Sequence, residues 1–171
     1  VDLAHLEKMF IEHSPAAVLS VSVLGLSPDM NALQNLCSKY NVILLEDNCE
    51  SQGTSYEGTK LGNFGLMSSF STYFAHTMST VEGGVISTDD KQLYHIFLQL
   101  RSHGWSRDLP LFDQATLRDE WNVDEFSSLY TFYLPGFNMR GTDIQAFLGI
   151  NQLKKVDNVI NKRYENFLHF K

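Results

Sequence analysis

The strongest constraint on the fold is the alternation of short apolar runs with helical patterns in the first third of the chain. Ala16 to Leu24 reads AAVLSVSVL. A short, valine-rich and almost wholly apolar run of this kind is a buried strand rather than a helix. Met30 to Tyr40 then places Met30, Leu33, Leu36 and Cys37 on one helical face, with Asn41 at its end. Val42 to Leu45 is a second apolar run that stops abruptly at Glu46-Asp47. Strand, helix, strand in this order implies an α/β fold with parallel strands. Ligands bind such sheets beyond the carboxyl ends of the strands. Glu46 and Asp47 are therefore candidates on topology alone.

The rest of the chain extends the pattern. Residues 2–13 put Leu3, Leu6, Met9 and Phe10 on one helical face, and Ser14-Pro15 stops that helix. Gly53 to Gly65 reads as a loop. Met67 to Ser71 is a third strand, and Val85 to Thr88 a fourth, entered through Gly83-Gly84. The strands near 17–24, 42–46, 67–72 and 84–88 are expected to form one sheet. The last should be antiparallel, because the loop before it leaves little room for a crossover. Asp89-Asp90 caps a helix running to about His103, with Leu93, Ile96, Phe97 and Leu100 inward. Ser106 to Met139 lacks a clean period and carries clustered aromatics, as an ordered functional excursion does. Thr142 to Lys171 is a long amphipathic helix or a helix pair.

Charge and cysteine usage narrow the function. A net charge of −7 argues against nucleic acid as the main partner, since phosphate backbones require a basic face. It leaves room for a nucleotide-linked small molecule held by a few local basic groups. The only cysteines, Cys37 and Cys49, read as reduced thiols of a cytoplasmic protein. No run approaches the ~18 apolar residues of a membrane span, and Val1 to Glu7 has no signal-peptide character. Both ends fall inside helical patterns, so the chain is expected to be part of a longer protein.

Five blocks then carry a resemblance. They are Leu-Leu-Glu-Asp-Asn-Cys-Glu-Ser-Gln-Gly (44–53), Gly-Asn-Phe-Gly (62–65), Ser-Ser-Phe-Ser-Thr-Tyr-Phe-Ala-His-Thr-Met-Ser-Thr-Val-Glu-Gly-Gly (68–84), Leu-Arg-Ser-His-Gly-Trp (100–105) and Gly-Phe-Asn-Met-Arg-Gly-Thr-Asp-Ile-Gln-Ala (136–146). In this order they resemble the sugar aminotransferases that use pyridoxal phosphate (PLP). The resemblance implies the fold type of aspartate aminotransferase. Residues 1–171 would be part of its large, PLP-binding domain, with the connection toward the small domain starting near 142–171. The sheet would be mostly parallel with one antiparallel strand.

The resemblance also assigns residues. Asp47 matches the aspartate that pairs with the pyridine nitrogen of PLP, though by position alone it fits a loop-capping carboxylate as well. Ser71 matches the serine that holds the cofactor phosphate. Asn138 matches an asparagine that reaches the phosphate from the other subunit, which implies a homodimer, and the competing role is a turn residue beside Gly136. Segment 126–139 and the 62–65 loop are expected at the dimer interface. Glu50 stands where aminotransferases carry histidine or glutamine near the ring; a solvated loop carboxylate is the alternative. Tyr73, Phe74 and Arg140 are candidates for substrate contact. Thr80, Glu82, Gly83 and Gly84 belong to a structural turn.

His76 stands where this family carries the lysine that bonds the cofactor aldehyde. Histidine there resembles a smaller branch that removes the C3 hydroxyl from a nucleotide-activated 4-keto-6-deoxy sugar. PLP, or its amine form pyridoxamine phosphate, would be held non-covalently. Imidazole suits the proton transfers required, because its pKa lies near neutrality. A cluster-binding variant of the branch needs closely spaced cysteines, and none follows Cys49. No metal site is expected. An inactive fragment or pseudoenzyme, and an ordinary aminotransferase, stay open as alternatives.

Overall fold

A computed structural model describes all of residues 1–171. Two compact units divide the chain: residues 1–87 with 142–171, and residues 88–141.

The first unit is built on a four-stranded sheet of β1 (Ala17–Val21), β2 (Ile43–Asp47), β5 (Met67–Ser71) and β6 (Gly84–Ser87), in that spatial order. The first three strands are parallel, and β6 runs antiparallel to β5. This is the topology expected from the short loop before residue 84. A small antiparallel hairpin of β3 (Ser55–Tyr56) and β4 (Thr59–Lys60) interrupts the segment read as loop.

Two helices cover one sheet face. α1 (Leu3–His13) begins at Asp2, whose carboxylate accepts the His5 amide, and ends at Ser14 in the left-handed region. α2 (Met30–Tyr40) begins at Asp29, which caps Ala32, and ends at Asn41, also left-handed. These short polar side chains satisfy amides that a helix start leaves without partners. The core between helices and sheet is Phe10, Met30, Leu33, Cys37, Val42, Leu44 and Leu61.

The opposite sheet face is open. Leu19 and Val21 are 55% and 50% exposed, and Ile43 is 45% exposed. The run read as a buried strand thus contains an edge strand with one neighbour, β1, in which only Ser20 is buried. β1 also stops at Val21 rather than Leu24, because the chain turns through Val23–Gly25 with Leu24 at φ 55°.

Glu46 is the main polar element of this core. It is 2% exposed. Its carboxylate accepts the backbone N–H groups of Gly62 (2.7 Å), Phe64 (2.8 Å) and Gly65 (2.7 Å). The Asn48 amide adds a fourth donor at 3.2 Å. A buried carboxylate is tolerable only with such a set of donors. Gly65 fits because a Cβ there would lie 2.7 Å from the Leu44 carbonyl oxygen.

The second unit contains α3 (Lys91–Leu100), α4 (Leu111–Glu120) and α5 (Glu125–Ser128). Asp90 caps α3 through the Leu93 amide, as its sequence implies. α3 ends before His103, which takes φ 62° in a turn closed by the Gly104 amide on the Gln99 carbonyl. Its buried residue is Gln99, whereas Ile96 is exposed. Tyr133 is buried and meets Trp121 edge-on, whereas Tyr130, Phe132 and Phe137 are exposed. The C-terminal stretch, which belongs to the first unit, is a helix pair, α6 (Asp143–Leu153) and α7 (Val156–Phe170). Thr142 and Gln145 form a reciprocal capping box at the start of α6.

Glu46→Ala leaves three part-buried amides without their acceptor. It is expected to lower the unfolding free energy by about 3–5 kcal/mol, measured by urea denaturation. A midpoint equal to that of the parent chain would show that the 62–65 loop does not depend on this carboxylate.

Candidate active site

Successive residues of a strand face opposite sides of the sheet. Glu46 and Asp47 therefore part company: Glu46 enters the core, and Asp47 emerges on the open face at the carboxyl end of β2. Asp47 is registered with Ser69 on β5. Ser71, two residues further along β5, shares the face of Ser69. The candidates Asp47 and Ser71 thus occupy one shelf at the ends of two adjacent parallel strands.

Asp47 is half-buried and firmly held. Its Oδ1 accepts the Cys49 backbone N–H at 3.1 Å and the Ser69 hydroxyl at 3.3 Å. Burial alone would raise its pKa. Hydrogen bonds from the Cys49 thiol and amide and from Ser69, together with the charge of His76, outweigh burial and hold the carboxyl below its ordinary value. The Cys49 thiol moves the other way. Burial raises it first, the neighbouring Asp47 carboxylate raises it further, and Ser69 and Ser71 only partly offset this.

Ser71 ends β5. Its hydroxyl oxygen accepts the Tyr73 amide at 3.1 Å, which leaves the hydroxyl proton free to donate. Residues 72–83 then leave the sheet and return as a closed loop. The Thr72 amide bonds the Gly83 carbonyl at 2.9 Å, the Thr80 amide bonds the Thr72 carbonyl at 2.8 Å, and the Phe74 amide bonds the Val81 carbonyl at 3.1 Å. The Thr72 and Thr80 hydroxyls meet at 2.6 Å, and the Thr80 hydroxyl also donates to the Glu82 carbonyl at 2.9 Å. Gly83 sits at φ 148°, and a Cβ there would strike this hydroxyl pair at 2.7 and 2.8 Å. The reading of Thr80 and Gly83 as structural thus has a physical basis.

His76 is carried inside this frame. Its amide bonds the Tyr73 carbonyl at 3.0 Å, and its ring meets the Tyr73 ring edge-on at 6.0 Å. Its charge also acts on Asp47, in the direction that favours the ionised carboxyl. The loop contains no lysine. Two helices buttress it: Gln145 of α6 donates to the Glu82 carbonyl at 2.6 Å, and Arg163 of α7 reaches the Thr77 hydroxyl at 3.4 Å.

Glu50 has a structural task. One of its oxygens accepts the Leu24 amide at 2.7 Å and so secures the turn in which Leu24 is left-handed. Asn138 lies in the other unit, exposed, in an isolated β-bridge with Ser102. The sequence reading missed Ser69 and Arg163. Ser69 was within reach, since strand periodicity places it beside Ser71 and opposite Asp47; Arg163 follows only from packing. In the second unit it also missed the stack of Trp105 on Phe132, centroids 5.2 Å apart, with the Arg107 guanidinium 3.8 Å from the Trp105 ring centre.

A mostly parallel sheet with one antiparallel strand, bearing a held carboxylate and a hydroxyl at its strand ends, is the architecture of the PLP-dependent aminotransferase fold. The chain belongs to the DegT/DnrJ/EryC1/StrS aminotransferase family, which it matches over residues 1–171. It is 40% identical, over its whole length, to GDP-4-keto-6-deoxy-D-mannose 3-dehydratase of Yersinia pseudotuberculosis, of which it covers 43%. It is 32% identical to UDP-4-amino-4,6-dideoxy-N-acetyl-beta-L-altrosamine transaminase of Helicobacter pylori, covering 99% of this chain and 40% of that protein. Among solved structures, the E. coli GDP-4-keto-6-deoxy-D-mannose-3-dehydratase with bound hydrated PLP superimposes with a TM-score of 0.86 at 36% identity, covering 99% of this chain and 43% of that one. The chain therefore spans less than half the length of these relatives.

The lowered pKa of Asp47 has a stability consequence. Folded Asp47 binds its proton less readily than unfolded Asp47, so its contribution is present above the unfolded pKa and is lost as pH falls through the folded one. Asp47→Asn is expected to flatten the acid limb of a stability–pH profile measured by urea unfolding. An acid limb identical to that of the parent would contradict the assignment.

Proposed function

We propose that this chain is the cofactor-binding part of a PLP-dependent dehydratase. The whole protein would remove the C3 hydroxyl from a GDP-linked 4-keto-6-deoxy sugar, a step in making 3,6-dideoxy sugars of bacterial surface polysaccharide such as lipopolysaccharide O-antigen. The observation that carries this is the presence, in one chain, of Asp47 held as a carboxylate at the end of β2 and of an imidazole rather than an amine at position 76. Family membership and the identity to known dehydratases support it.

The shelf fits the cofactor by the chemistry of its donors and acceptors. Asp47 offers an anionic acceptor to a protonated ring nitrogen, and Ser71 offers a hydroxyl proton to a phosphate oxygen. Asn138 of a second copy would add a phosphate contact, and Glu50 keeps one carboxylate oxygen for the ring. When bound, PLP or pyridoxamine phosphate supplies an electron sink for a carbanion. Every proton movement then falls to the protein. His76 would be the residue that accepts and returns the protons which loss of the C3 hydroxyl requires. An ordinary aminotransferase would need a lysine in the 72–83 loop, where there is none.

The whole protein would be a homodimer. The exposed Phe126, Tyr130, Phe132 and Phe137 support this, because so much aromatic surface in one segment is an interface signature. A cytoplasmic setting follows from the two free thiols and a nucleotide-sugar substrate. No helix is long and apolar enough to cross a membrane.

The decisive test uses the whole protein with GDP-4-keto-6-deoxy-mannose, PLP and glutamate, the amino acid trapped with PLP in one related dehydratase structure. Mass spectrometry of the sugar should show loss of the C3 hydroxyl. His76→Ala should keep PLP affinity within about twofold and lose at least ~100-fold in rate. Dehydration by His76→Ala at the parent rate would overturn the assignment.

For the 171-residue chain by itself, weak or absent PLP binding and no turnover are expected, because it spans less than half of these relatives. Stoichiometric binding, read from visible absorbance, would show that the shelf suffices.

A further inference from the structure

We propose that Ser69 and Cys49 are positioning residues that clamp Oδ1 of Asp47 and so reserve its Oδ2 for the ring nitrogen of the cofactor. This rests on the cofactor reading above and adds how the carboxylate is aimed.

The torsion that turns an aspartate carboxylate is a broad sp³–sp² rotor, so its rotamer alone does not fix the carboxylate plane. Here two donors fix it. The Cys49 amide comes from the chain just past β2, and the Ser69 hydroxyl from the neighbouring strand β5, and both converge on Oδ1. Neither uses Oδ2. The clamp is itself anchored: the Asn48 amide bonds the Ser69 carbonyl at 2.9 Å, and the Ser22 amide bonds the Asp47 carbonyl at 3.0 Å. Asp47, Ser69 and the turn at Asn48-Cys49 therefore form one hydrogen-bonded unit across three strands.

The thiol has a distinct part. The Cys49 thiol favours the ionised Asp47 carboxyl, and burial and that carboxylate in turn raise the thiol's pKa. It thus stays a neutral, weak donor that a stronger donor can displace. A thiolate beside Asp47 would instead repel the carboxylate and compete for the cofactor proton. The titratable groups acting on Asp47 are Cys49 and His76. Both favour its ionised form, in the direction opposite to burial. A ring nitrogen approaching this site meets an acceptor already ionised and oriented, which lowers the reorganisation needed on binding.

Two measurements test this. The first follows the Asp47 side-chain carboxyl carbon by NMR titration in the 171-residue chain without cofactor. Ser69→Ala should raise its midpoint, Ser69→Ala with Cys49→Ala should raise it further, and Cys49→Ser, which keeps a donor, should sit close to the parent. Ser69→Thr, which restores the hydroxyl, guards against a variant that merely packs poorly. A midpoint unmoved by Ser69→Ala would overturn the clamp. The second uses the whole protein and adds PLP. The Asp47 carboxyl signal of the parent should shift, and Ser69→Ala should weaken PLP binding roughly tenfold. An Asp47 signal that does not move on adding PLP, or undiminished affinity in Asp47→Asn, would overturn the destination of Oδ2 and the cofactor reading with it, while the titration still judges the clamp.

Discussion

A buried carboxylate with three main-chain amides directed at it organises this chain. Glu46 gathers Gly62, Phe64 and Gly65 into a tight turn beneath the sheet. That turn leads directly into β5. The strand that bears Ser69 and Ser71 is therefore delivered to its place beside β2 by a charge that no solvent reaches. The cost of burying such a charge is offset only while every donor is present, so the loop is all-or-none in character. The next residue along, Asp47, shares the same backbone and faces the other way. One pair of adjacent acids thus divides the labour between holding the sheet and presenting chemistry.

On the presenting side, the electrostatics favour a fixed negative charge. Two oxygen-directed donors and a nearby imidazole keep Asp47 ionised despite partial burial. The imidazole sits in a loop whose ends are tied by main-chain bonds and by paired threonine hydroxyls. Both groups are therefore held before any ligand arrives, as rigid supporting elements allow.

Much of this was legible in the residues. The alternation of apolar runs and helical faces gave one sheet of mainly parallel strands, and the short connection before β6 gave its reversed direction. What escaped had physical causes. β1 looked buried because its composition is apolar, yet composition does not record whether a neighbouring layer covers a strand. α4 was invisible because Leu111 and Phe112 are exposed, so no inward stripe marks its period. The β3–β4 hairpin is only two residues per strand, below the length at which alternation can be seen. The five blocks of family resemblance named Asp47, Ser71 and His76, but family position could not say that Glu50 also secures a turn at Leu24.

The closed loop around His76 has a consequence for how such chemistry can diversify. Its shape is set by Thr72, Thr80, Gly83 and the main chain, and the imidazole contributes to none of these bonds; position 76 enters the frame only through its amide. The side chain at the working position is in this sense a replaceable part in a socket that does not register what is plugged into it. A different side chain there would leave every one of these bonds in place.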